Sequence, residues 1–231
     1  MGKIKVEQPN WIFRFGLISL TRLMVRFPSV ARRVRVLADT EDFVTWVRQT
    51  FGEPERFHAK REQLWDSMMK QLNTDSWTAW EFGVAWGYAT NYWLSREKSK
   101  IQAWHGFDRF TGLPRAWRGL DEGHFDAGGQ APQIDDRRIS WHVGDVQTEL
   151  PKVKIPLGSN LILFDLDLYE PTLFAWNFLK PSLNPGDIIY FDEAFDDDER
   201  KIVVEQMLPC FNVQLIGYTP IALAIKILES K

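Results

Sequence analysis

Near residue 78 the chain changes rhythm. From there to residue 231, short apolar runs alternate with helical stretches, and several of the runs stop on glycine or on a carboxylate. Residues 78–85 (TAWEFGVA), 100–107, 138–143, 161–164, 187–191, 211–215 and 222–228 read as strands. Residues 87–98, 170–183 and 196–208 carry helical spacing, and residues 108–136, rich in Gly, Pro and Asp, read as a long loop. Alternation of this kind predicts an α/β fold, a mostly parallel sheet with helices on both faces. In such a sheet ligands bind beyond the carboxyl ends of the strands, so the strand ends are where chemistry is sought.

Four strand ends stand out. In Glu81-Phe82-Gly83-Val84-Ala85-Trp86-Gly87, glycines four apart allow the backbone to approach a ligand. The middle glycine of a dinucleotide-binding G-x-G-x-x-G loop is missing. A tight strand–helix turn without ligand has the same appearance. Asp108 closes the second strand, twenty-seven residues after Glu81, where a carboxylate accepts hydrogen bonds from ribose hydroxyls; a loop or cap aspartate is the plain alternative. Asp165 and Asp167 lie two apart after the apolar 161–164 run and face the same way if extended. Asp192 and Glu193 follow the 187–191 run. Carboxylates beyond buried strands are costly unless donors or a cation satisfy them, and oxygen-rich sets of this type suit Mg²⁺. Helix capping and water are the alternative for these acids.

Five segments, in order, resemble the macrocin O-methyltransferase family of class I methyltransferases: EFGVAWG, HGFDRFTGLPRAWRG, VGDVQTELP, FDLDLYEPT and LNPGDIIYFDE. The resemblance spans residues 78–231. It implies a Rossmann-like sheet of seven strands with the last antiparallel, and S-adenosylmethionine as cofactor. It implies that Glu81, Gly83 and Gly87 shape the cofactor pocket, that Asp108 binds the ribose, and that Asp145 with Val146 lies near the adenine. Asp165, Asp192 and Glu193 would hold Mg²⁺ against two acceptor hydroxyls, and Asp167, Asp165 or a histidine would take the hydroxyl proton. The implied acceptor is a small molecule such as a sugar or a polyhydroxylated natural product. The chain departs from the family pattern at Tyr88 and Ala89, at Asp145 and Gln147, at Asp187 and at Glu193. Two other readings stay open: a SAM-binding protein without catalysis, and a nicotinamide-dependent oxidoreductase.

Composition bounds the rest. Apolar residues at 45% and charged residues at 26% exclude disorder. Eleven Trp and sixteen Phe fill a core, with some left to line a pocket for a flat ligand. The single Cys210 rules out an internal disulfide and a Cys-rich zinc site, and fits a cytoplasmic protein. No long uncharged apolar run argues for a transmembrane helix. Net charge is −3, yet residues 1–36 hold eight Lys or Arg against Glu7 alone, so a basic arm precedes an acidic body and no nucleic-acid partner is expected.

Residues 1–73 read as an N-terminal helical extension and 74–231 as the catalytic domain. The 11–36 stretch has helical apolar spacing broken at Pro28. Packing on the domain or on a second subunit, and hence a homodimer, is favoured over a membrane-surface helix. Thr40 with Glu41 and Asp42 reads as a helix start, and Leu64, Met68 and Leu72 mark one face of a later helix. His105 and His142 read as structural, while His124, Trp117 and Arg118 in the long loop are candidates for substrate contact, and Asp196-Asp197-Asp198 reads as a solvated helix start.

Overall fold

The computed structural model describes residues 11–231. Lys3, Lys5 and Glu7 of the basic arm lie outside the described residues. The chain divides into two compact units, Met1–Asp42 and Phe43–Lys231. In the first, α1 (Trp11–Arg26) ends before Pro28, which opens α2 (Pro28–Phe51). Proline suits a first helical position because its missing N–H has no partner there anyway. Leu17, Ile18, Leu23, Val25 and Phe27 are exposed on this unit. No helix among the described residues is long and apolar enough to cross a membrane.

The helix start expected at Thr40 is absent, because α2 runs through it without a break. Leu37 and Ala38 just before it are good helix formers, and nothing there interrupts the ladder. Residues 43–73, grouped on sequence with the extension, belong to the larger unit. Phe43 and Val47 at the end of α2, and Leu64, Trp65 and Met68 of α3 (Arg61–Met69), are all buried in its core.

That unit is a seven-stranded sheet. Its strands are β1 (Trp77–Phe82), β2 (Ile101–Asp108), β3 (Ile139–Val143), β4 (Ser159–Phe164), β5 (Ile188–Phe191), β6 (Phe211–Tyr218) and β7 (Leu223–Ser230), in spatial order β3-β2-β1-β4-β5-β7-β6. The first five run parallel, and β7 is antiparallel to both neighbours. This is the class I methyltransferase architecture. Two apolar layers sandwich the sheet. On one face α3 and α4 (Tyr88–Arg96) contribute Leu64, Trp65, Trp93 and Leu94. On the other, the end of α2, α5 (Val146–Glu149) and α6 (Tyr169–Leu179) contribute Phe43, Val146 and Trp176. The helix expected over 196–208 is α7 (Asp197–Lys201) continued by a π-helical segment, Ile202–Met207.

The strand order reverses between β1 and β4, so the turns after these two strands diverge and leave a crevice at their carboxyl ends. The ladder continues one residue beyond the strands. Gly83 N–H donates to Phe107 O at 3.0 Å, Asp165 N–H to Phe82 O at 2.8 Å, and Asp192 N–H to Phe164 O at 2.9 Å. Sheet geometry thereby fixes the backbone from which the glycine loop and both acid pairs depart.

Candidate functional site

A cleft of about 920 Å³ opens at those strand ends. Its wall includes Glu81, Gly83, Asp108, Asp145, Asp165, Asp167, Asp192 and Glu193, which therefore converge on one place as the sequence suggests. Gly87 is not in the wall. It begins α4 in the left-handed conformation (φ 76°), and a Cβ there would come within 2.8 Å of Pro132 and 2.9 Å of Ile134. Its missing side chain makes room for the long loop rather than for a ligand.

Gly83 is demanded by its neighbour. A Cβ on it would sit 1.8 Å from the Asp165 carbonyl oxygen, and its φ of 88° is itself one that side chains resist. The glycine loop and the β4 acid loop are thus in backbone contact. Asp108 holds the same loop from the other side. Its Oδ2 accepts the N–H groups of Val84 and Ala85, each at 2.7 Å, and its Oδ1 accepts that of Phe110 at 2.6 Å. This loop-shaping role has no sequence signature beyond a carboxylate at a strand end, and it leaves Asp108 on the cleft wall with one lone pair, on Oδ1, to spare.

Glu81 is buried in the floor of the cleft. Its Oε2 accepts the Trp104 indole N–H at 2.7 Å and the Thr90 hydroxyl. Burial outweighs these bonds and pushes its carboxyl up to about 7. Asp145 is exposed at the start of α5 and lies 3.3 Å from Arg109 Nε.

The acids beyond β4 and β5 crowd one another. Burial, then the charges of Asp192 and Asp196, push Asp167 up to about 7; burial, then Asp167 and Asp192, push Glu193 up to about 8. Asp165 is held well above the carboxylate range by burial and by Asp192. Asp167 also has φ 63°, an uncommon conformation for a non-glycine residue. Glu199 joins this group unforeseen: it is fully buried, and its Oε2 accepts the Glu193 N–H at 3.0 Å. It sits in what reads as a plain acidic helix start, so no sequence signal marked it.

In donor type the set fits a hard divalent cation: carboxylates from adjacent strand ends, with Glu193 Oε2 and Glu199 Oε1 buried and without hydrogen-bond partners. In arrangement, no three acids, histidines or cysteines among the described residues are grouped as a metal site. Asp192 is already engaged, by the Tyr190 hydroxyl at Oδ1 and by Arg61 Nη1 at 3.4 Å from Oδ2.

Trp117 and Arg118 are not in the cleft wall. Trp117 Nε1 donates to Asp198 Oδ2 at 3.1 Å, and Arg118 pairs with the buried Asp196 and lies over the Phe195 ring at 4.7 Å. The expected solvated run is therefore partly buried, with Asp196 capping α7. His124 is outside the cleft wall, its ring edge-on to that of Phe125. His105 and His142 share a 3.0 Å hydrogen bond within a stack of rings, in keeping with a structural role.

No family model matches the chain, and no curated protein matches it either. Among solved structures it is similar to the calicheamicin methyltransferase CalS11, at 19% identity over 84% of this chain and 91% of that one, with a TM-score of 0.54. It is also similar to the O-methyltransferase NovP, at 15% identity over 73% of this chain and 78% of that one, with a TM-score of 0.52. At these identities the likeness is one of fold.

Proposed function

We propose that this chain, a class I methyltransferase by fold, moves a methyl group from S-adenosylmethionine to a hydroxyl of a small molecule. The observation that carries the reading is the joining of the glycine loop, tied down by Asp108, to the acid loop of β4 across one cleft. A cofactor end and a proton-accepting end are thereby held side by side. The two solved methyltransferases named above, of which NovP is an O-methyltransferase, share this fold, which supports the choice of reaction, and a sugar or polyhydroxylated natural product is the acceptor class proposed.

S-adenosylmethionine, when bound, supplies an activated methyl group. Gly83 lets the glycine loop pack directly on the β4 loop at the end of β1, Asp108 would offer its remaining lone pair to a ribose hydroxyl, and Asp145 with Val146 would flank the adenine. Asp167, its carboxyl near 7, is matched to accepting a proton from an acceptor hydroxyl at neutral pH. Asp165 stands beside it as the other candidate base. Asp165, Asp192 and Glu193 would hold Mg²⁺, which supplies a charge that orients adjacent hydroxyls and favours their ionisation.

The test is calorimetric titration with S-adenosylmethionine and S-adenosylhomocysteine, with Mg²⁺ and without. Micromolar binding, about −8 kcal/mol, is expected, with a loss of at least tenfold in Asp108→Ala, in which the N–H groups of Val84, Ala85 and Phe110 lose their acceptor. Absence of binding in the wild type under both conditions, or binding of a nicotinamide nucleotide instead, overturns the reading.

A further inference from the structure

One cation in the cleft wall has no counterpart in the family-like segments. Arg61 comes from α3, before the sheet begins, in a stretch whose sequence shows no chemistry. Its Nη1 reaches Asp192 Oδ2 at 3.4 Å while the Tyr190 hydroxyl donates to Oδ1. Both oxygens of a carboxylate that is only 7% exposed are thus engaged from within the chain. The guanidinium is also held in place. Its carbon lies 5.2 Å from the Trp65 ring and 5.2 Å from the Tyr88 ring, and the Tyr88 hydroxyl is anchored to Glu62 Oε1 at 2.8 Å. Tyr88, a departure from the family pattern, is therefore one of two adjacent rings against which the Arg61 guanidinium rests. Burial opposes the arginine's charge, but the negative charges of Asp192 and Asp165 outweigh it. The neighbouring arginines of the wall face other acids, Arg109 at Asp145 and Arg115 at Glu170.

A divalent ion on Asp192 would sit about 2.1 Å from the carboxylate oxygen. The guanidinium occupies that side of the group, and like charges so close repel strongly in a partly buried setting. We propose that Arg61 and a divalent cation compete for one place on Asp192, so that the arginine gates metal entry to the acid cluster. With Arg61 on Asp192 the cluster has a resident counter-charge; a bound divalent ion requires Arg61 to let go. The inference rests on the reading above only in taking Asp192 to belong to the reacting end of the cleft.

The experiment measures Mn²⁺ affinity by electron paramagnetic resonance, with Mg²⁺ as competitor, in the full chain. Arg61→Met keeps an unbranched apolar stem beside the two rings and removes the charge. Arg61→Gln is a second neutral variant, and Arg61→Lys keeps the charge. At least tenfold tighter Mn²⁺ binding is expected in both neutral variants, with Arg61→Lys within about threefold of wild type and Asp192→Asn abolishing the gain. Equal affinity in wild type and neutral variants, no Mn²⁺ binding in any of them, or an equal gain in Arg61→Lys each overturns the proposal. S-adenosylhomocysteine is titrated into the same samples. Retained nucleoside binding beside any of those results sinks the gate alone, whereas its absence in the wild type sinks the methyl-transfer reading.

Discussion

Glu81 shows what a single buried carboxyl costs. Its pKa near 7 lies above the unfolded value near 4.5. Below pH 4.5 both states bind the proton and there is no penalty. As pH rises through 7 the unfolded chain has already released it, so the folded state loses stability by up to about 3 kcal/mol. Glu81→Gln removes this titration while keeping an oxygen for Trp104 and Thr90. Urea unfolding at pH 5 and pH 8 is expected to show the wild type losing ground to Glu81→Gln at the higher pH. A constant difference between the two proteins would refute the assignment. Asp187 is a second case, and it explains a departure from the family pattern. It accepts the Asn160 N–H at 2.8 Å, the Asn160 side-chain amide at 3.0 Å and the Asn184 N–H at 2.9 Å, while Asn160 in turn accepts the Trp80 indole at 3.0 Å. A glycine there would leave the two buried Asn160 donors unanswered. Such roles are invisible in sequence because the partners lie up to 27 positions away.

Among the elements, the strands were legible because each is a short apolar run bounded by polar or turn residues. The helices on the sheet were legible from their spacing. Two things were not. Thr40-Glu41-Asp42 mimics a helix start inside a continuous helix, since local chemistry at a cap does not reveal whether the preceding turn is already helical. The long loop was visible as a loop, but not its attachment. Trp117 and Arg118 fasten it to the start of α7 at Asp198 and Asp196. The partly buried Arg118 pair is the stronger part of this fastening, and the exposed Arg115–Glu170 pair adds little. Hydrogen exchange followed by mass spectrometry is expected to show residues 112–129 exchanging at least fivefold faster in Arg118→Ala than in wild type. Unchanged rates would mean that the glycine-rich loop is held by its own turns.

At the scale of the molecule, the parallel sheet, its reversal between β1 and β4, and the meeting of the acid pairs follow from the alternation that begins near residue 78. Where the compact unit begins was less legible. Trp65 and Phe43 complete the two faces of the sheet, and nothing in a helical pattern says which sheet face, if any, it will cover. A ligand bound only by the folded state raises stability by about 2.7 kcal/mol at a hundred times its dissociation constant. For a chain of this length that corresponds to a rise in melting temperature of roughly 5–10 °C. S-adenosylhomocysteine is expected to produce that rise, and adenosine alone a smaller one. Equal shifts from both, read by calorimetric scanning, would place the recognised part of the ligand outside its amino-acid end.

The contact between Gly83 and the Asp165 carbonyl has a consequence for how the two ends of the cleft communicate. With no room for even a methyl group between them, neither turn moves without displacing the other. Whatever tightens the glycine loop therefore alters the acid loop's affinity for its own ligand, and the reverse effect is equal in size by thermodynamic necessity. Order of addition would leave the final occupancies unchanged, while each ligand would report, through its own binding curve, the presence of the other.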